Sequence, residues 1–388
     1  MSGSELSAAA SVYPTAVRPE HQSEEMQVVA EETTEVMPLL RHGALQLPAL
    51  RLESYNLELK DSSGFIGDRA SKSSFAELLD KWRKPLGRRG DPFGRGASEE
   101  ISRKKLDALL VDGAPAAAAA AVASIEEFAQ RLAAVIRLFL KQKGWRDAQR
   151  IVVGGGMSEP RVGKIAIACA SLMINAEDRE LELVPIDYDP DEAALIGATH
   201  LVPAWLFKGY EAILAVDIGG TNIRAGLVEL RAKNGGDFSK ARVERLELWR
   251  HGEHKNLNRE DALEGLIDIL KNLIRYAKKR RIKVAPFIGV GCPGKINEDG
   301  TIARGAQNLP GNWERKDFNL PGRLREAFPE IGGHETAVMM HNDAVVQGLS
   351  QVPFMTDVSH WGVLTIGTGF GNACFTNRAN SNGKKKKS

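Results

Sequence analysis

Apolar positions along the chain change period repeatedly, and each change marks an element. Residues 115–143 combine an alanine tract with Ile125, Phe128, Leu132, Ile136 and Phe139 at helical spacing, which predicts a long helix with a buried face. The run Ile151-Val152-Val153 reads as a strand entering Gly154-Gly155-Gly156; a helix over 161–173, a buried strand over 181–186 and a helix over 191–201 come after it. Strands over 213–216 and 223–230 face each other across Gly219-Gly220, which makes a hairpin. Next come a helix over 259–280, a strand over 287–290 with the turn Cys292-Pro293-Gly294, and a strand-turn-strand around 297–302. A strand over 336–340 then ends at His341-Asn342-Asp343, with a helix over 344–350. The last strand, 363–366, runs into Gly367-Thr368-Gly369-Phe370-Gly371 and a return strand to Phe375. Strands alternating with glycine turns and helices predict an α/β protein. Residues 50–110 are dense in turn and charge signals and yield only a helix over 74–83, while 1–35, without sustained period, are expected to form a mobile leader.

Length adds a second level. At 388 residues the chain exceeds the size at which one hydrophobic core stops growing, so two lobes with a cleft between them are expected. The division predicted is a larger lobe over 36–205, a smaller lobe over 206–340 bearing the first glycine hairpin, a return to the larger lobe over 341–378, and a basic tail over 379–388 containing Lys384-Lys385-Lys386-Lys387. With 52 basic and 50 acidic residues the net charge of +2 is too balanced for a chain that coats nucleic acid or an acidic membrane. Cys169, Cys292 and Cys374 stand apart in apolar or glycine-rich settings and read as buried thiols of a reducing compartment. No run approaches the roughly 20 apolar residues of a membrane span, and the start of the chain lacks a signal-peptide pattern, so the cytoplasm is the expected location.

Three places carry candidate chemistry. In Asp217-Ile218-Gly219-Gly220-Thr221-Asn222 the bare turn lets backbone N–H groups approach an anion, the threonine adds a donor, and Asp217 is placed to hold a hydrated magnesium ion. Gly367-Thr368-Gly369 repeats the strand, turn and strand pattern, so two hairpins could grip one polyphosphate. The plain alternative is an ordinary turn in each case. Neither cluster is a Walker loop, and Gly154-Gly155-Gly156-Met157-Ser158-Glu159 has Glu where a dinucleotide fold needs its third glycine, so the triple glycine reads either as bare backbone for a flat group such as adenine or as tight strand-to-helix packing. Asp343, at a strand end before a helix, can accept the proton of an attacking hydroxyl; a helix N-cap is the plain alternative. Asn308 and Asn312, with Trp313 as an apolar face, could bind sugar hydroxyls, although asparagine is common in turns.

Taken together in order, Leu214-Ala215-Val216-Asp217-Ile218-Gly219-Gly220-Thr221-Asn222, Gly291-Cys292-Pro293-Gly294 with Asp299-Gly300, Asn308-Leu309-Pro310-Gly311, Asn342-Asp343-Ala344 and Gly367-Thr368-Gly369-Phe370-Gly371 resemble the ROK family of sugar kinases and sugar-responsive repressors. The resemblance covers 210–378. It implies a two-lobed actin/hexokinase-like (ribonuclease H-like) α/β fold and ATP-dependent phosphorylation of a hexose, glucose first and at C6. It also implies Asp343 as base, Asn342 with Pro293 and Gly294 at the sugar, and ATP with Mg2+ held by the two hairpins. The stretch 151–201 is similar to what normally ends such a kinase, with Gly154, Gly155 and Gly156 at the adenosine. Here it precedes the first hairpin, which implies a circularly permuted order. The family's Glu-x-Gly-His and cysteine-rich zinc elements are absent after Arg378, and Gly64-Phe65-Ile66-Gly67-Asp68-Arg69 is the candidate replacement for part of the sugar shell. The partners expected are a sugar and, at most, a second copy of the chain, with neither nucleic acid nor membrane. Two other readings stay open: a sugar-binding regulator with little or no turnover, and an actin-like ATPase acting on protein partners.

Overall fold

A computed structural model describes residues 41–378, apart from 63, 178–179, 233–236, 255 and 368. The expected leader over 1–35 and basic tail over 379–388 lie outside the described residues, as does Thr368 of the second glycine turn. The principal strands are β1 (Leu50–Tyr55), β2 (Arg150–Gly154), β3 (Glu182–Pro185), β4 (Ala212–Ile218), β5 (Ile223–Glu229), β6 (Arg242–Trp249), β7 (Val284–Cys292), β8 (Ala337–Asn342), β9 (His360–Ile366) and β10 (Phe370–Asn377). The helices are α1 (Lys72–Arg83), α2 (Arg103–Val111), α3 (Pro115–Leu140), α4 (Arg161–Asn175), α5 (Ala193–Gly197), α6 (Arg259–Arg280), α7 (Leu320–Ala327) and α8 (Asp343–Leu349).

The strands form two five-stranded sheets with one plan. In the smaller lobe β4 pairs antiparallel with β5, β5 antiparallel with β6, and β4 lies parallel to β7, which lies parallel to β8. In the larger lobe β9 takes the place of β4: it pairs antiparallel with β10, β10 antiparallel with β1, and β9 lies parallel to β2, which lies parallel to β3. The first sheet uses its strands in chain order, whereas the second takes its third strand, β1, from residues 50–55. Two mixed sheets of this plan facing a common cleft are the actin/hexokinase-like arrangement.

Period-two alternation decides which face each strand buries. Along β4, Ala212, Leu214, Val216 and Ile218 pack with α6 and α7, while Ile213 and Ala215 turn to a core shared with the other sheet. Along β9, Leu364 and Ile366 pack with α1, α3 and α4, while Trp361 and Val363 join the same shared core. Helices α5 and α8 fill that central core, and every residue of α5 is buried. Helix α3 forms as its periodicity predicts, with Ile125, Phe128, Leu132, Ile136 and Phe139 all buried. Helix α6 begins in a capping box between Asn258 and Asp261, which satisfies N–H groups that the first turn leaves free. No single described helix is long and apolar enough to cross a membrane.

The segment before β1 ties the lobes together. Gly43 donates its N–H to Met340 O at 3.1 Å, Met340 donates to His42 Nδ1 at 3.1 Å, and a ring nitrogen of His341 lies 3.0 Å from Ala44 O. Burial holds both histidines down at about 4, so these contacts at β8 are made by neutral rings. The chain then crosses to the other sheet as β1. Residues 50–110, poorly legible in sequence, thus contribute a sheet strand, and the run Arg242–Trp249 adds a strand that the alternation did not reveal.

Helices α5 and α8 cross where Gly197 faces Val346: a Cβ on Gly197 would lie 1.8 Å from Val346 O and 3.0 Å from Ser350 N. Backbone atoms cannot yield as a side chain can. Gly197→Ala is therefore expected to lower stability by about 1–3 kcal/mol by overpacking, read as the denaturant midpoint at unchanged slope; an unaltered midpoint would show that the helices separate without cost.

Candidate active site

The cleft between the sheets encloses about 440 Å³. Asp217, Gly219, Gly220, Thr221, Asn222, Pro293, Gly294, Asn308, Asp343, Gly155, Gly156, Gly367 and Gly369 all line it, so residues from distant parts of the sequence converge on one space.

The first hairpin turn is held open from within. Gly219 donates to Asn222 O at 2.8 Å, Gly252 donates to Thr221 O at 2.9 Å, and His251 Nε2 lies 2.8 Å from Gly219 O. The N–H groups of Gly220 and Thr221 make no such internal bond and remain available to an anion. A Cβ on Gly220 would lie 3.1 Å from that of Asn308, which puts the turn directly beside the Asn308 loop. In the second turn Gly367 donates to Gly369 O at 3.0 Å, and Lys72, at the start of α1, donates its N–H to Gly367 O at 3.3 Å.

Two carboxylates sit at the floor. A Cβ on Gly291 would lie 3.6 Å from Asp217 Oδ1 and 3.6 Å from Asp343 Cα, so the two acids flank one glycine of β7. Asp217 pairs in register with Arg224 across β4 and β5, and Arg224 Nη1 reaches its Oδ2 at 3.3 Å while Nη2 holds Asp191 at 2.7 Å. Burial nevertheless outweighs that partner and pushes the Asp217 carboxyl above its ordinary value. Asp343 has no cationic partner: its Oδ1 accepts from Ala344 N at 2.9 Å. Burial, and then the charge of Asp217, push it up to about 6. Burial first and the same two acids second drive the Cys292 thiol well above its usual range, so this cysteine stays protonated.

The structure separates several sequence-expected ligands from the cleft. Asn342 is buried beneath it: its Nδ2 donates to Gly294 O at 3.0 Å and its Oδ1 caps Ala344 N and Val345 N, so the amide fixes the Gly294 turn and the start of α8. Asn312 is exposed outside the cleft, where its Oδ1 accepts from Glu314 N at 3.0 Å, and Trp313 lies in the small-lobe core edge-on to Phe318. Gly154 is fully enclosed. Gly155 does line the cleft, but it also needs its positive φ of 79° and a Cβ there would lie 2.4 Å from Ile366 O, so its bare backbone is demanded by packing too. Gly156 lines it as well, under the Arg103 guanidinium, which is paired with Glu159 at 2.5 Å. The 64–69 segment packs against the second hairpin, since a Cβ on Gly67 would meet Phe370 at 2.7 Å, and brings Phe65, Gly67 and Asp68 to the wall of the cleft.

Sequence reading missed the wall supplied by residues 56–59. Asn372 grips Leu57 twice, through Leu57 N to Oδ1 at 3.0 Å and Nδ2 to Leu57 O at 3.1 Å, and this holds Asn56, Leu57, Glu58 and Leu59 along the cleft. Asn56 adopts φ 49° and its buried Nδ2 has no hydrogen-bond partner. Arg224 was legible in principle, because a hairpin closed by residues 219–222 must set it opposite Asp217. Asp191, Arg103 and Asn56 had no such signal.

The donor set fits a magnesium–nucleotide complex. Magnesium is bound through one or two carboxylates together with substrate phosphates, and two carboxylates beneath free N–H groups meet that need; among the described residues no cluster of three or more metal-ligating side chains occurs.

Residues 213–386 match the ROK family model. A glucokinase of Thermotoga maritima is 28% identical over 166 residues, 42% of this chain and 44% of that protein, so the chain spans less than half the length of this curated relative. Among solved structures, a ROK hexokinase from Thermus thermophilus aligns with 45% of this chain and 50% of its own at 22% identity and a TM-score of 0.31. A ROK family glucokinase from Streptomyces griseus, solved with glucose and AMPPNP, aligns over 44% and 46% at 19% identity and a TM-score of 0.31. The segment that matches the ROK family model carries both the Asp217 hairpin and Asp343.

Proposed function

We propose that this protein transfers the γ-phosphoryl group of ATP to a hexose hydroxyl, with glucose as first candidate and C6 as the acceptor position. The observation that carries the reading is the pair Asp217 and Asp343 flanking Gly291 under the unbonded N–H groups of Gly220 and Thr221. Phosphoryl transfer asks a protein chiefly for positioning and charge stabilisation. The Gly220 and Thr221 N–H groups orient the phosphates, and Asp217, charge-balanced by Arg224, holds the cation. When bound, that cation neutralises charge on the phosphoryl oxygens. Asp343 accepts the proton of the attacking hydroxyl, a role suited to a carboxylate whose affinity for protons is raised towards neutrality. Asn308, Asn56 and Glu58 supply polar contacts at the sugar end, beside the Gly294 turn that Asn342 fixes. Gly156 and Arg103 bound the nucleotide end.

A circular permutation of the family order accounts for the sheet plan. Reading the larger sheet as β9, β10, β1, β2, β3 gives the sequence of partners that the smaller sheet has in unbroken chain order. The strands β10 and β1 pair directly, so their ends lie within reach of a short connection, the condition under which permutation is tolerated.

Coupled measurement of ADP release over a panel of hexoses is expected to show turnover with glucose or a close relative; tight sugar binding with no ADP from any hexose would replace the kinase by a binding protein. Asp343→Asn is expected to keep sugar affinity and lower kcat by about 10²–10⁴-fold, and an unchanged kcat would remove Asp343 from the role. In the wild type, kcat is expected to fall as pH drops below about 6, where Asp343 protonates. The same group has a stability signature. Its raised folded value favours the protonated form, so the stability it contributes is complete below the unfolded value and is lost as pH rises through about 6. Asp343→Asn should therefore be more stable than wild type at pH 8, on the order of 1–3 kcal/mol, with the gain shrinking towards pH 4.

A further inference from the structure

Lys72 opens helix α1, and its N–H donates to Gly367 O at 3.3 Å, so its backbone is fixed beside the second glycine turn. The rest of the helix anchors it there, because Phe75, Leu78 and Leu79 are buried in the larger-lobe core. Lys72 itself is exposed and lines the cleft. Among the described residues three cations line this space, and two of them are engaged: Arg224 by Asp217 and Asp191, Arg103 by Glu159. The third, the Lys72 ammonium, makes no hydrogen bond or ion pair within the described residues. Its position is also unfavourable for the fold. The N-terminus of a helix is the positive end of its dipole, which repels a cation, and the first turn of α1 holds no acid to offset it. An uncharged residue at this exposed place would serve folding better, and local rules of this kind are broken where a residue serves a site instead.

We propose that Lys72 is a nucleotide-binding residue of the phosphoryl-transfer site, whose ammonium pairs with the α- and β-phosphates of ATP, the two that stay with the nucleotide when the γ-phosphoryl group leaves. This rests on the kinase reading above. The transferred group belongs beside Asp343 and the free N–H groups of Gly220 and Thr221, which are supplied by the smaller-lobe hairpin. An ammonium tethered to the second turn, on the larger-lobe sheet, therefore meets the rest of the phosphate chain. The two carboxylates of the floor repel those phosphates, and a compact point charge on a long flexible stem supplies the opposing attraction. Lys72 acts through the grip on the nucleotide and takes no proton from the attacking hydroxyl.

The test compares wild type with Lys72→Met and Lys72→Arg, and with Lys72→Gln should the methionine variant fail to fold. Binding of ADP and of adenosine is measured by calorimetry at low and high salt, and the thermal midpoint is recorded without ligand. For Lys72→Met the expected result is an approximately tenfold weaker Kd for ADP, an unchanged Kd for adenosine, a shallower dependence of ADP binding on salt, and a higher thermal midpoint of the free protein. Lys72→Arg, which keeps the charge, is expected to recover most of the ADP affinity. Equal ADP affinity in Lys72→Met and wild type overturns the proposal. Equal loss for ADP and adenosine also overturns it, because the side chain would then serve the shape of the cleft and not the phosphates. Failure of the wild type to bind ADP at all counts against the kinase reading.

Discussion

The placement of α8 between the two sheets governs the rest of the molecule. One side of this short helix meets α5 at a crossing where only glycine fits, the other meets the shared core, and its first residue is Asp343. Because the crossing is backbone against side-chain-free backbone, α8 cannot slide or rotate without opening the core that both lobes share. Close-packed interiors respond to such changes as units. The position of the Asp343 carboxylate is thus set by apolar packing several residues away, and Asn342 completes the constraint by tying the helix start to the Gly294 turn.

Electrostatics gives the two acids of the floor different surroundings. Asp217 and Asp343 experience similar burial and each other's charge, but Arg224 stands in register beside Asp217 and Asp343 has only backbone and amide donors. The paired acid is better able to remain charged and hold a cation. The unpaired one is the better proton acceptor near neutral pH. This asymmetry comes from a single cross-strand pair of the β4–β5 hairpin, and Asp191 holds the far side of the guanidinium so that Arg224 does not swing away.

What could be read from sequence was what local periodicity controls. The strands around Gly219-Gly220 and Gly367-Gly369 and the strand into Asp343 announce themselves as continuous apolar runs because both their faces are buried, and helix α3 by its helical period; the glycine turns and Asp343 meet in the cleft. What the pattern did not show was how the polar residues are held: Asn342 and Asn312 satisfy backbone groups, and no spacing rule distinguishes an asparagine that caps a helix from one that faces a ligand. Residues 84–103 were opaque for a related reason. Their order comes from Arg83, which is almost fully buried and reaches Asp91, Ser98, Gly94 O and Gly96 O, a tertiary network without periodic trace. That network brings Arg103 to the cleft.

The strand β1 shows how a fold can be indifferent to chain order while a site is not. For the larger sheet it matters only that some strand pairs antiparallel with β10, and residues 50–55 do so with a single register shift. For the cleft the identity of the next few residues is decisive, because the chain leaves β1 directly into Asn56–Leu59 and is pinned there by Asn372 of the neighbouring strand. The segment before β1 is equally committed, since His42 and Gly43 complete the edge of β8 in the opposite sheet. One continuous stretch therefore closes one sheet, braces the other and walls the space between them, so that lobe spacing and cleft chemistry are set by the same short run of residues.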